Sequence, residues 1–480
     1  MSTSARGFSV AHQRVYVDVD IQTKKFSGWT ELTIVPTRLD LTQIVLDARR
    51  INLLKCFVNG LEAEFTHFDL LSNPPSRPSS WNVHQYALYR EKLKPLMKEN
   101  GDGPGELIIS IPSSVTIKEP DEKTFIASHT TKEKTYEPLT IRIQYEVEEG
   151  FNEGLHFVNE GNEPHVYTTH TPIGQATSCW LPCVDGLWSI STWEIEFNFQ
   201  RLLDVNDDDS EVFVACNSVI PSDVVVSTAT NKKTVKFEVY SPVSSQHVGF
   251  AIGPFKIITL SSNPEEKSIS DRPEFADAPR SINSGDTQWL LITAFALPSK
   301  AAQVAHSCRS VPKAMQFFLH NFGSFPYNSY SLVFVADLPT GSSATIDACA
   351  LTICSDDLLF TPKVIEPLFE DCEVLVRGVA AQWCGVSIVP QQWSDLWVTE
   401  GISLFMTNIF IRKLMGNNEY RFRIRKANDR LCEEDINRPP IGSPKFRFPL
   451  CHTDLEFIRL KAPLVLYILD RRMTKTDRSL

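Results

Sequence analysis

The sequence contains no uninterrupted apolar run of 18 or more residues, which is the length that a membrane-spanning helix needs. The two nearest candidates, 289–298 and 464–469, are both short. The first 15 residues mix basic and polar side chains and lack the apolar core of a secretory signal. We therefore expect no membrane association and a location in the cytosol or the nucleus.

The sequence also lacks the cysteine pattern of a disulfide framework or a structural zinc site. Its 11 cysteines are odd in number and scattered, and several stand in apolar runs, where a free thiol packs as a small apolar group. Cys179 and Cys183 are the closest pair, but no second pair of cysteine or histidine ligands accompanies them. We expect free cysteines and no metal at this pair.

Basic residues gather at the end of an otherwise acidic chain. The formal net charge is −11, yet residues 411–480 hold 16 lysines plus arginines against 9 aspartates plus glutamates. Such an end can approach phosphate groups, or it can be a solvated face that balances its neighbours. The length of 480 residues and the hydrophobic content of 42% indicate a globular protein of two or three domains.

The first half of the chain has the alternating pattern of half-buried strands. Apolar and polar residues mostly alternate in six segments: 15–21, 30–34, 106–111, 140–145, 193–199 and 235–239. The pattern predicts an antiparallel β sandwich or saddle over 1–260. Its insertion, 73–104, begins with loop residues and contains a predicted helix at 81–99. The polar stretch 261–287 has no apolar period and is the predicted linker.

The pattern becomes helical in the predicted second domain, 288–480. A helix is predicted from Ser299, as its N-cap, to Phe322, with Pro312 expected to kink or split it. A strand is predicted at 331–335, and two further helices are predicted at 366–383 and 399–414, ending at Gly385 and Gly416. This domain is therefore expected to be α+β and mainly helical.

A zinc-hydrolase site of the H-E-x-x-H type is missing from this second domain. Such a site needs two imidazoles one helical turn apart and a glutamate beside the first to activate water. None of the 11 histidines is followed by glutamate, and no two of them are four residues apart. We predict no catalytic residue, no metal ligand set and no cofactor.

The surroundings of such a site are nevertheless present. Residues 376–385 read Val-Arg-Gly-Val-Ala-Ala-Gln-Trp-Cys-Gly, and residues 393–401 read Trp-Ser-Asp-Leu-Trp-Val-Thr-Glu-Gly. Their Q-W-x-G and D-L-W-x-x-E-G segments, at matching spacing, resemble the signature of the M1 aminopeptidase family. The resemblance implies a β saddle followed by a thermolysin-like domain. It also implies that Arg377 and Ala381 stand at the histidine ligands, Gly378 at the catalytic glutamate and Glu400 at the third ligand.

Other parts of the family's machinery differ in the same way. Residues 343–347 resemble the family's G-x-M-E-N loop, which would put Ile346 at the amine-binding glutamate. Residues 459–462 resemble its Y-x-K-G segment, which would put Arg459 at the transition-state tyrosine. For Glu400 two interpretations stay open: it complements the dipole of a helix that begins nearby, or it keeps a ligand role.

Segments 8–15, 376–385 and 458–465 resemble a catalytically inactive branch of the family that belongs to a general transcription factor. This resemblance implies a nuclear scaffold in RNA polymerase II initiation and an amino-terminal portion of a longer protein. The implied partners are the other subunits of that factor, the TATA-binding protein and core promoter DNA. A cytosolic pseudoenzyme that binds peptides and a zinc aminopeptidase with unusual ligands remain as alternatives.

A short basic and aromatic segment is the candidate nucleic-acid contact. Residues 420–426 read Tyr-Arg-Phe-Arg-Ile-Arg-Lys, so Arg421, Arg423, Arg425 and Lys426 are available for phosphate groups. The alternative is a solvent-exposed and partly helical face, because no recognition motif accompanies the charge.

Overall fold

A computed structural model of the 480-residue chain gives the fold. It describes residues 6–68, 105–119, 136–147, 154–159, 163–169, 176–207, 210–260, 290–338, 344–443 and 452–474. The predicted insertion 73–104, with its helix at 81–99, and the predicted linker 261–287 lie outside the described residues. No helix in the described ranges is both long and apolar enough to cross a membrane.

Strands dominate the described residues before position 261. They are β1 Phe8–Asp20, β2 Lys25–Pro36, β3 Gln43–Leu46, β4 Ile51–Val58, β5 Leu61–Glu62, β6 Phe65–His67, β7 Leu107–Ser110, β8 Leu139–Val147, β9 Leu155–Val158, β10 His165–Thr168, β11 Ile190–Gln200, β12 Phe213–Cys216, β13 Asp223–Ser227, β14 Lys232–Ser244, β15 Phe250–Gly253 and β16 Lys256–Thr259. Strands β8 and β11 bury every second residue, and β1 does so on either side of an irregularity between Val10 and His12, as the alternating sequence pattern predicts.

These strands form layered sheets around an apolar interior. An eight-stranded sheet has the order β13-β14-β11-β1-β2-β8-β4-β5, and a four-stranded sheet has the order β12-β15-β10-β9. A third sheet has the order β3-β7-β6. The large sheet is antiparallel except where β1 pairs in parallel with β11, with Val15 opposite Ile195. The predicted antiparallel saddle is thus confirmed, with one parallel pair that local alternation does not specify.

The rest of the described chain is mixed and mainly helical, as predicted. Its strands are β17 Leu291–Ala296, β18 Ser329–Val335, β19 Thr345–Ala348 and β20 Leu351–Ser355, and its helices are α1 Ala301–Ser307, α2 Val311–Phe322, α3 Glu366–Ala381, α4 Leu396–Met415, α5 Asn417–Glu434 and α6 His452–Thr474. One five-stranded sheet has the order β16-β17-β18-β20-β19. Since β16 precedes position 261, this sheet joins the two halves of the chain.

The helix boundaries confirm one detail of the sequence analysis and correct another. The predicted helix from Ser299 to Phe322 is split, as expected from Pro312, because α1 ends at Ser307 and Pro312 occupies the first turn of α2. Ser299 is not the N-cap of α1: Lys300 takes that position, and the Ser299 hydroxyl donates to Glu163. Glycine ends α2 and α4, because Gly323 and Gly416 both have φ +92, which a side chain would disfavour.

Candidate functional site

A small cavity lies where the β half of the chain, the described residues before position 261, meets helices α3, α4 and α6. Its volume is about 60 Å³, which is room for only a few water molecules. Leu187, Gln246 and His247 line it from the β half. The positions that the M1 resemblance singles out line the opposite wall, and they are Ile346, Arg377, Ala381, Glu400 and Arg459. The fold therefore brings these five positions to one cavity, although the side chain of Ile346 packs mainly on the other face of its strand.

Arg377 projects from α3 toward the edge strand β19. It is buried, its Nη1 lies 3.0 Å from Asp347 Oδ2, and its Nη2 donates to the hydroxyl of Thr345. Burial by itself would lower the pKa of Arg377, but the Asp347 and Glu400 carboxylates outweigh that effect and raise the pKa above its usual value. A fixed positive charge thus occupies the place where the resemblance puts the first histidine ligand.

The pleat of β19 explains why Asp347 is the partner. Neighbouring residues of a strand point to opposite faces, so Thr345 and Asp347 face Arg377 while Ile346 faces the other way. Ile346 is buried in an apolar cluster with residues of β17, β18 and β20. The resemblance drew attention to Ile346, whereas the structure places the carboxylate of Asp347 in the cavity. Ser343, the first residue of that resemblance, lies outside the described residues.

Glu400 and Arg459 form the second ion pair of the cavity. Arg459 Nε lies 2.8 Å from Glu400 Oε2, and its Nη2 lies 3.4 Å from Oε1, which joins α4 to α6. Burial would raise the pKa of Glu400, but attraction to Arg459 and Arg377 outweighs it and lowers the pKa. Helix α4 begins at Leu396, so Glu400 lies beyond its first turn. This position does not match the helix-dipole interpretation, and the charge of Glu400 is matched by Arg459.

A divalent cation does not fit this arrangement. Within the described ranges, no three histidine, cysteine, aspartate or glutamate side chains are placed to hold one. Glu400, the single residue that the resemblance retains as a ligand, is already bonded to Arg459. The guanidinium of Arg377 would repel a dication at the same place. No metal-dependent step can be derived from these residues.

The position of the catalytic glutamate is closed as well. A side chain at Gly378 would bring its Cβ to 3.0 Å from Thr352 Cγ2 and 3.3 Å from Asp347 Oδ1. The packing there is tight, because the Thr352 hydroxyl is also bonded to Tyr330 at 2.8 Å. A longer side chain at position 378 would force strand β20 or Asp347 to move.

The Q-W-x-G segment has a structural role in this chain. Gln382 Oε1 accepts from the Ala350 backbone N–H at 2.9 Å, and its Nε2 donates to the Ala348 carbonyl at 3.1 Å. It thereby holds the turn between β19 and β20, where Ala350 has φ 57. Trp383 Nε1 donates to the Ser324 carbonyl at 3.1 Å. These contacts give the segment a structural role that does not require a bound metal.

Two aromatic residues join the β half to the segment before α4. Trp188 Nε1 donates to the Pro390 carbonyl at 2.8 Å, and its ring meets the edge of the Trp393 ring at a centroid distance of 5.7 Å. Deeper in the junction, the amide of Asn217 donates to the carbonyls of His247 and Cys349 at 3.0 and 2.8 Å. These bonds fix the two halves of the chain on either side of the cavity.

The four basic candidates of α5 do not act alike. Arg423 pairs with Glu373 of α3 and with Glu419 one turn earlier, so it is committed to packing α5 on α3. Arg421, Arg425 and Lys426 are exposed, and Arg425 Nε has only a distant contact with Asp429 at 3.8 Å. The structure therefore leaves three of the four side chains available to an external partner.

The chain matches a known family model and several known proteins. The model of the peptidase family M1 domain matches residues 307–439. Transcription initiation factor TFIID subunit 2 of Schizosaccharomyces pombe is 31% identical over 98% of this chain and 41% of its own length. Its Drosophila melanogaster counterpart is 25% identical over 92% of this chain and 33% of its own length. The chain is a homologue of TFIID subunit 2. It spans about two fifths or less of the length of these two relatives.

Solved structures show that the fold is that of an M1 metallopeptidase. The M1 zinc metallopeptidase of Deinococcus radiodurans aligns with a TM-score of 0.63 at 15% identity, covering 98% of this chain and 84% of its own. Native yeast LTA4 hydrolase aligns with a TM-score of 0.63 at 13% identity, covering 97% and 60%. At such identity the likeness concerns the fold, and the predicted M1-like architecture is confirmed.

Proposed function

We propose that this homologue of TFIID subunit 2 is a non-enzymatic scaffold subunit of TFIID that supports assembly of the RNA polymerase II preinitiation complex in the nucleus. The observation that carries the proposal is the pair of internal ion pairs in the cavity, between Arg377 and Asp347 and between Arg459 and Glu400. The charged side chains of the cavity therefore bind each other, whereas those of a hydrolase would face the metal and the substrate. The names of the relatives support the assignment to TFIID.

The cavity supports a structural role because its ion pairs join separate elements. Arg377 links α3 to β19, and Arg459 links α6 to α4. Each pair is mostly shielded from water, so loss of one partner would leave a buried charge uncompensated. A scaffold benefits from such rigidity, because a preorganised surface loses less conformational entropy when partners bind.

We further propose that Arg421, Arg425 and Lys426 contact the phosphate groups of core promoter DNA. Their exposure and the absence of close carboxylate partners around Arg421 and Lys426 in the described residues support this assignment. Phosphate contacts of this kind position a protein on DNA without reading its sequence. Other TFIID subunits and the TATA-binding protein are the proposed protein partners.

The rival function, binding of free peptide amino termini, has weaker support. A peptide amine needs an accessible carboxylate, but Asp347 is paired with Arg377 and Glu400 with Arg459. A cavity of about 60 Å³ is also much smaller than the roughly 300 to 1,000 Å³ of typical ligand pockets.

Affinity purification of the tagged chain from nuclei, followed by mass spectrometry, tests the proposed function. The proposal predicts co-purification of TFIID subunits with the intact chain at constant ratios. Recovery of the folded chain without any TFIID subunit would contradict it. Saturable binding of a free dipeptide, abolished by Asp347→Asn, would support the rival instead.

A further inference from the structure

The free edge of the eight-stranded sheet carries an unusual apolar segment. Strand β13 is the terminal strand and pairs only with β14 among the described residues. Three consecutive valines in it, Val224, Val225 and Val226, are 40%, 57% and 47% exposed. Because successive residues of a strand face opposite sides, these valines meet solvent on both faces of the sheet.

Sheet edges in natural proteins are normally protected against pairing with other strands by lysine, proline, bulges or very short length. The opposite edge of this sheet follows that rule, since β5 has only two residues. Strand β13 does not: it has five residues, reads Asp-Val-Val-Val-Ser and has no irregularity in its register with β14. On this edge, β13 therefore presents β-branched side chains together with backbone groups that pair with no other strand of the described residues.

The charge at one end of β13 indicates which kind of strand could pair with this edge. Asp223 is exposed and forms no ion pair with any described residue. Lys236 lies opposite it in register, but the Lys236 ammonium is held by Glu194 at 3.2 Å and Glu238 at 3.3 Å. A basic residue on an incoming strand would complement the carboxylate of Asp223.

The edge is too short for a stable dimer in which β13 pairs with β13 of a second copy of the chain. A five-residue strand is about 17 Å long. Two such edges would bury far less than the roughly 1,200 Å² of a stable protein interface. A short extended segment of another polypeptide can bind with less buried area, because backbone hydrogen bonds along the edge supply its affinity.

We propose that β13 is a docking edge that accepts an extended segment of another polypeptide as a ninth strand. The segment places β-branched side chains beside Val224, Val225 and Val226 and a lysine or arginine beside Asp223. Backbone hydrogen bonds supply the affinity in this mode of recognition, and the side chains supply its specificity. The proposal concerns a surface outside the cavity and does not depend on the proposed role in TFIID.

Fluorescence anisotropy with the intact chain tests the proposal. The probe is a fluorescein-labelled peptide, Lys-Thr-Val-Thr-Val-Thr-Lys, and the test variant is Val225→Lys, which puts a solvated charge on the edge. The matched control is Val205→Lys, because Val205 is 69% exposed and lies in a loop. We expect saturable binding to the wild type, at least tenfold weaker binding to Val225→Lys and no change with Val205→Lys. Thermal melts of the variants check that each one folds.

A charge reversal tests the predicted register. Asp223→Lys is expected to weaken binding of the lysine-ended peptide at least threefold. It is expected to strengthen binding of a second peptide in which glutamates replace the two terminal lysines. Absence of saturable binding to the wild type, or equal binding to Val225→Lys, would overturn the proposal. A concentration-dependent dimer that Val225→Lys abolishes would overturn it as well, since the occupant would then be a second copy. Either failure leaves co-purification with TFIID unaffected as a separate question.

Discussion

Glu400 and Arg459, 59 residues apart in sequence, form a two-contact ion pair between α4 and α6, with Nε 2.8 Å from Oε2. The M1 resemblance assigns one of them to a metal ligand and the other to a transition-state tyrosine. In this chain they bind each other, so a position for metal chemistry has become a contact between helices.

Removing Arg459 should destabilise the fold strongly. Arg459→Ala leaves Glu400 buried without its main partner, and we expect the free energy of unfolding to fall by about 3 kcal/mol. The double variant Glu400→Met with Arg459→Met removes both charges and should recover most of that loss. Urea unfolding followed by circular dichroism measures both. A double variant as unstable as the single one would show that the ion pair is not the cause.

Restoring histidines alone should not restore a metal site. The variant Arg377→His with Ala381→His places two imidazoles one turn apart on α3, but Glu400 remains bonded to Arg459. We expect less than 0.1 zinc per chain by elemental analysis, whereas adding Arg459→Tyr should release Glu400 and raise zinc content toward one. Stoichiometric zinc in the double variant would contradict the account of Glu400.

The described structure makes clear which parts of the site a sequence can predict. Alternating residues identified the strands of the saddle, and glycines identified the ends of α2 and α4, because both signals are local. The shared signature segments located α3 and α4. The partner of Glu400 was not predictable, since it depends on how α6 packs, and Asp347 was overlooked because the register of β19 decides which of two neighbouring residues faces the cavity.

The same reasoning applies to the basic segment of α5. The sequence of the helix gave four candidate cations, but it did not reveal that Arg423 forms an ion pair with Glu373 on a different helix. The parallel pairing of β1 with β11 is a similar case, because about 180 residues separate the partners and period-2 alternation carries no information on direction.

Asp185 should make stability depend on pH. It is buried, and burial together with the Asp47 carboxylate raises its pKa from 3.8 to about 6, although the Ser178 N–H opposes the shift. The folded state therefore binds this proton more tightly than the unfolded state, so stability from this group falls as pH rises from about 4 to 6. Asp185→Asn should be more stable than wild type at pH 7.5 and lose that advantage at pH 4. Thermal melts across this range would contradict the assignment if the difference does not vary with pH.

The exposed cations of α5 should contribute to DNA binding without affecting the fold. The variant Arg421→Ala, Arg425→Ala and Lys426→Ala should weaken binding of a core promoter duplex and lower the slope of log affinity against log salt by about 2 to 3. Lys25→Ala removes an exposed cation from the β half and serves as the control. Arg423→Ala should instead destabilise the contact between α5 and α3. Equal slopes for the triple variant and the wild type would remove these residues from the DNA surface.

The central claim is that the charged side chains of the cavity form ion pairs with each other and do not bind a metal ion. Elemental analysis of the purified chain, together with an aminoacyl-anilide hydrolysis assay in the presence of added zinc, tests it most directly. The account predicts zinc well below one per chain and no turnover above that of the Glu400→Gln variant. One tightly held zinc per chain, with hydrolysis that Glu400→Gln abolishes, would contradict it.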